Sequence, residues 1–204
     1  MNMQSTHDTE KLYELLITWY NSILFSKQLS SVHIVECWTN IWFAKDANQK
    51  KMDDFFLKYT ELVGYMKDFK PTDTNLMIAM IILYDQIPRN IHRNTADAYT
   101  YDHISLGYAH ILMNTFASLP FQYKLTVTIC LLHSENRSDH DIVKENLKII
   151  KKDKCCDPML YERFSEIAKN HAERILYFGR IPERNKFLGR ESTEQEIAYL
   201  GGIY

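Results

Sequence analysis

Six glycines and five prolines are all that interrupt 204 residues, far fewer breakers than the turn-dense sequences of sandwiches and barrels need. No apolar run approaches the ~20 residues of a membrane-spanning helix. The N-terminal Asn2, Gln4, Ser5, Thr6, His7 and Asp8 lack the basic-then-apolar order of a secretory signal. Cysteine is also sparse: Cys37, Cys130, Cys155 and Cys156 form no C-x-x-C pair and have no histidine at zinc-finger spacing. A bridge between the adjacent Cys155 and Cys156 would be strained. Reduced thiols in a soluble cytoplasmic protein are therefore expected, and the sequon Asn136-Arg137-Ser138 has no glycosylation context. A formal charge of −2, from 24 basic and 26 acidic residues, excludes the bulk basicity of a nonspecific nucleic-acid binder. Also missing are the P-loop, the G-x-G-x-x-G turn and the G-x-S-x-G elbow, so the usual nucleotide loops and esterase nucleophile are not expected.

What is present is helical periodicity. Leu12, Leu15, Leu16, Trp19, Tyr20, Ile23 and Leu24 follow the i, i+3, i+4, i+7 stripe of an amphipathic helix, as do Met52, Phe55, Phe56, Tyr59, Leu62, Val63 and Met66. A segment around Val32 to Phe43 reads as helical. Thr72 or Asp73 can cap a helix through Leu76, Met77, Met80, Ile81 and Leu83, which should stop near Ile87 because the residue before a proline is pushed out of the α region. A long pattern runs from about Thr95 to Phe116. Pro120 opens a further helix through Leu132, and another spans about Asp139 to Ile150. Asp157-Pro158 starts the next, whose stripe (Leu160, Phe164, Ile167, Ala168, His171, Ile175, Phe178) runs to Gly179, a natural C′ residue. Thr193-Glu194-Gln195-Glu196 is a capping box. The expectation is a single all-α domain over residues 1–204 with about eight helices and no sheet, arranged as a right-handed, tetratricopeptide-like array of antiparallel helix pairs.

Two helix ends carry unusual chemistry. Phe178 to Arg190 holds Arg180, Arg184, Lys186 and Arg190 with Gly179, Gly189 and Pro182. Much earlier the chain runs Asp85-Gln86-Ile87-Pro88-Arg89-Asn90-Ile91-His92-Arg93, so an Ile-Pro-Arg-Asn string recurs with Glu183 inserted. Guanidinium is permanently charged and matches carboxylate or phosphate with a donor fork. Arginines in such numbers repel one another unless acids or a ligand intervene. Helix C-capping and pairing with Asp85, Glu183 and Glu191 is the alternative use for them.

At these corners the sequence resembles a widespread, mainly bacterial family known only as a domain of unknown function, DUF924. The resemblance rests on Trp42-Phe43, on Ile81-Ile82-Leu83-Tyr84-Asp85-Gln86-Ile87-Pro88-Arg89-Asn90-Ile91-His92-Arg93, on His133-Ser134-Glu135, on His171, and on Phe178 to Arg190 with Thr193, Glu196 and Leu200. It implies a single all-α domain of tetratricopeptide-like superhelical form and no established reaction. The sequence departs from the usual pattern at Glu183, where the family commonly has His, at Asn94, where it often has Gly, and after Glu135, where the usual Gln is missing.

These residues define the candidate site. Asp85, Gln86, Arg89, Asn90, Arg93, Arg180, Arg184, Asn185 and Arg190 are expected to bind a small anionic ligand, phosphorylated or carboxylated. His133, Glu135 and His171 are the candidates for acid–base chemistry, since histidine titrates near neutrality and a neighbouring carboxylate would poise it. No metal ligation is expected, because His133, Glu135 and His171 show no H-x-x-x-H or H-x-x-E spacing on one helix, and no cofactor is implied. A second reading is an interaction module that grips an acidic peptide, as superhelical arrays do. A third is nucleotide or RNA binding on Tyr84, Tyr99, Tyr101 and Tyr177, which the overall charge disfavours.

Overall fold

The computed structural model describes residues 3–202, and the described residues form nine helical runs without a strand. Helix α1 is Met3–Tyr20, and α2 is Ser31–Cys37 running on into a π-helical turn, Trp38–Trp42. Helix α3 strings together Asp46–Phe56, Leu57–Tyr59, Thr60–Tyr65 and Met66–Asp68, and α4 strings together Thr74–Ile81, a π-helical stretch Ile82–Gln86, and Ile87–Ile91. Helix α5 is Asp102–Leu112, tightening into a 3₁₀ end at Met113–Ser118. Then come α6 (Phe121–Leu132), α7 (Arg137–Lys151), α8 (Pro158–Phe178) and α9 (Glu194–Gly201). Single 3₁₀ turns, Ala96–Tyr99 and Pro182–Arg184, lie in the connectors before α5 and α9. No helix among the described residues is long and apolar enough to cross a membrane.

The start signals act through their side chains. Asp73 accepts the Leu76 amide, Asp157 accepts the Leu160 amide, and Thr193 and Glu196 close a reciprocal capping box, each satisfying donors that a helix N-terminus leaves unpaired. Gly179 ends α8 in the left-handed region at φ 69°. The first stripe is cut short, however. Leu12, Leu15, Leu16, Trp19 and Tyr20 are buried, but α1 ends at Tyr20, Asn21 turns to φ 46°, and Ile23 and Leu24 are exposed. The pattern from Thr95 to Phe116 is broken as well, because the chain makes a 3₁₀ turn before α5 begins at Asp102.

The helix expected to stop near Ile87 instead runs through Pro88 to Ile91. Pro88 has no N–H, and in a regular α-helix its ring would collide with the carbonyl one turn back. Widening to π geometry over Ile82–Gln86 relieves that collision. The carbonyls around the bulge are then taken by side chains: Arg89 Nη1 donates to the Asp85 carbonyl at 2.7 Å and Asn90 Nδ2 to the Gln86 carbonyl at 2.9 Å.

One continuous core joins these helices. Helix α4 is its axis, with Ile78 through Tyr84 and Ile87 fully buried, and it packs against α1, α3, α5 and α6. Every residue of α6 is buried, which explains its weak amphipathicity. Helices α5 to α8 each pack on the next, as a hairpin array requires, whereas α1 reaches across to α4 instead of resting only on α2. Within α6, the buried Lys124 ammonium pairs with Asp153 at 2.7 Å. The four cysteines are free thiols. Gly179→Ala meets no neighbouring atom but must hold a side chain at positive φ. Urea unfolding should therefore show a loss of about 1 kcal/mol.

Candidate functional site

Asp85 sits inside the π-helical stretch, 1% exposed, so its carboxylate projects from a widened turn into the packed interior. An isolated carboxylate there would be costly. Three donors surround it: Arg89 Nη1 at 3.0 Å, His133 Nδ1 at 2.8 and 3.0 Å, and the Gln86 side-chain amide. Burial raises the Asp85 pKa, but the guanidinium of Arg89 and then His133 outweigh it and hold the carboxyl below its usual range. Arg89 also makes a two-point bond to Asp102, at 2.8 Å for each oxygen. Because a carboxylate can only accept, Nδ1 of His133 carries the proton, and in the neutral ring Nε2 is left as a lone pair. Burial and the nearby Arg89 lower the His133 pKa, so the neutral ring is favoured.

His171 on α8 lies with its ring centroid 6.2 Å from that of His133. Its Nδ1 donates to the Ile167 carbonyl at 3.0 Å, which again leaves Nε2 as the free nitrogen. Burial, followed by His133 and by Arg174 and Arg184, brings its pKa down to about 3.

The connector after α8 closes the site. Arg184 is 8% exposed and lies over the Tyr99 ring, with the guanidinium carbon 4.8 Å from the centroid; Arg89 approaches the same ring at 5.5 Å. The nearest carboxylate to Arg184 is Asp102 at 3.7 Å, the group already bonded at two points by Arg89. Burial and then Arg89 lower the pKa of Arg184. These side chains line a cavity of about 370 Å³ whose walls hold Arg89, Arg93, Arg174 and Arg184 with His133, His171 and Tyr99. Glu183 is the one carboxylate in that wall, bonded to Arg174 at 2.6 Å. Arg93 is anchored from outside by two bonds to Asp53 on α3, at 2.7 and 2.9 Å.

The structure thus brings Arg89, Arg93, Arg184, His133 and His171 together and places the other candidates elsewhere. Asp85 is a support behind the wall. Gln86 and Asn90 line an adjoining cavity. Arg180 makes two bonds to Glu196, at 2.6 and 2.7 Å, and donates to the Glu191 carbonyl. Arg190 makes two bonds to Glu135, at 2.6 and 3.0 Å, and Asn185 bridges Arg190, Ser192 and Glu196. These residues fasten the connector to the end of α6 and to α9, and none of them lines the cavity. Glu135 also accepts the Ile181 amide, so the carboxylate partner of His133 is Asp85. Tyr84 is fully buried against Tyr101 and offers no stacking face. Asp102, Arg174 and the anchoring role of Asp53 are additions to the expected set. Arg174 was accessible to pattern reading, because it follows His171 by three and so shares its helix face.

A model of one family, the bacterial proteins of unknown function DUF924, matches residues 16–202. The chain belongs to the DUF924 family. No curated protein matches the sequence. Among solved structures, a DUF924 chain of this shape is similar to ATU0120, a protein of unknown function from Agrobacterium tumefaciens: 23% identity, a TM-score of 0.60, and 94% of this chain aligned with 98% of that one. At that identity the likeness shows the fold. The DUF924 chain also has a larger groove, of about 1000 Å³ beside α1 to α3, lined by residues such as Ile17, Ile23, Ile41 and Phe55. It gathers no group of arginines.

Two outcomes follow for the isolated protein. Asp85→Ala leaves His133 Nδ1 without its acceptor and Arg89 with Asp102 as its remaining carboxylate, and chemical denaturation should show a loss of about 1–3 kcal/mol. The histidines give stability a pH dependence of known sign. A histidine whose folded pKa is depressed stays neutral in the native chain and binds a proton on unfolding once the pH is below about 6.5. Stability should therefore fall as pH drops below 6.5, and for His171 down to about 3, by up to about 1.4 kcal/mol per pH unit for each such histidine. Urea titrations of the parent and His171→Gln across pH 7 to 4 should show a shallower slope in the variant.

Proposed function

We propose that this protein binds a small phosphorylated or carboxylated anion in the arginine-lined cavity, with the Asp85–His133 pair positioned to accept a proton from the bound molecule or from its water. The observation that carries the reading is Arg184. Its guanidinium is buried beside that of Arg89, and the carboxylate nearest to it is already bonded twice by Arg89. A second cation in that position costs the free protein stability, through desolvation and like-charge repulsion. An anion in the cavity would offset both. Arg89, Arg93 and Arg174 each already bond a carboxylate, whereas among the described residues Arg184 has none closer than 3.7 Å, so its forked donors are the ones open to an anion such as a phosphoryl group.

The proton-accepting role rests on orientation. Asp85 fixes His133 in the tautomer whose Nε2 is unprotonated, and burial beside Arg89 keeps the ring neutral, so Nε2 can accept a hydrogen bond or a proton from a bound group. His171 supplies a second unprotonated Nε2 in the same wall.

Thermal melts of the parent and Arg184→Met, with and without inorganic phosphate at matched ionic strength, test this reading. Phosphate should raise the parent Tm, since whatever binds only the native state stabilises it. Arg184→Met should lose most of that response while keeping its stability without phosphate to within about 1 kcal/mol, because it removes a desolvated cation facing another. A destabilised variant beside a parent indifferent to phosphate would make the arginines architecture and end the proposal.

A further inference from the structure

A second cavity, of about 300 Å³, shares Arg89, Arg93 and His133 with the first, but its remaining wall is of another kind. Ile41, Phe43 and Ala44 at the end of α2 and Met52 from α3 supply an apolar surface, and Gln86, Asn90, Lys45 and Gln49 supply the polar part. That surface is preformed. The Phe43 ring packs on Trp38 with centroids 4.4 Å apart, and the neighbouring Trp42 indole nitrogen donates to the Trp19 carbonyl at 2.8 Å. The cationic side of the junction is equally fixed, because Asp53, the neighbour of Met52 on α3, holds the Arg93 guanidinium at two points. An inorganic anion would engage one chamber and leave the apolar wall next to it in water.

Resting on the anion-site reading above, we propose that the ligand carries its phosphoryl or carboxyl group on an apolar, ring-sized body. The anion lies among Arg89, Arg93 and Arg184, and the body lies over Phe43, Ala44 and Met52. The two chambers together are of the size that holds small molecules, whose sites are mostly apolar with a few converging polar groups.

Calorimetric titration of the full chain with methylphosphonate and phenylphosphonate tests this, because the two share one charged group and differ in the body attached to it. Phenylphosphonate should bind at least about tenfold more tightly, from the apolar area that the ring removes from water, and 2-hydroxyethylphosphonate should gain nothing over methylphosphonate. In Met52→Gln the ratio should fall below about threefold, with methylphosphonate affinity unchanged. Phe43→Leu keeps the packing on Trp38 apolar and should lower the ratio in the same direction, which guards against a folding defect in the first variant. Equal affinities of the two phosphonates in the parent would overturn the proposal while leaving anion binding intact. A phenyl advantage that survives both substitutions would place the ring elsewhere and overturn it too. If neither phosphonate binds, the anion reading and this inference fall together.

Discussion

The Asp85 carboxylate is the hub on which the site depends. It is buried within a helix widened to pass a proline, and its two oxygens must satisfy a guanidinium, an imidazole and an amide at once. Removing water from such a group is unfavourable, so the groups that replace water become fixed in place. Arg89 is thereby aimed at Asp102 and Tyr99, and His133 is committed to one tautomer. Pro88 serves the same end, because the bulge that it imposes turns Asp85 inward and frees carbonyls that Arg89 and Asn90 occupy. Helix geometry, charge placement and side-chain orientation are thus one arrangement.

Much of the fold was legible from local chemistry. Asp73, Asp157, Thr193 and Gly179 mark helix ends because caps and left-handed glycine act within a few residues of their own position. Where reading failed, a nonlocal term prevailed. The α1 stripe continued in sequence to Ile23 and Leu24, but with no partner to cover them the chain turned at Asn21. Pro88 was expected to end a helix, and tertiary burial of Ile87 on the core kept it going through a π turn instead.

The site was legible in part for the same reason. The repeated Pro-Arg-Asn corners pointed to Arg89 and Arg184, which the fold does bring to one tyrosine ring and one aspartate. Nothing in the spacing distinguished those arginines from Arg180 and Arg190, because the difference lies in which acids the fold places opposite them. Glu196 and Glu135 take the outer pair as two-point bonds, and the inner pair share Asp102. Charge in the sequence identified a cationic segment. Only the positions of its acids divide that segment into fastening and binding parts.

Those fastenings bear on how the cavity comes into being. Arg180, Asn185 and Arg190 tie the last connector to Glu135 and Glu196, and this connector delivers Ile181, Glu183 and Arg184 to a wall otherwise built from α4, the turn before α5, the end of α6, and α8. The cavity is therefore only as firm as that docking: loosening the Arg180–Glu196 or Arg190–Glu135 bonds would withdraw Arg184 from the wall while leaving Arg89 and His133 in place.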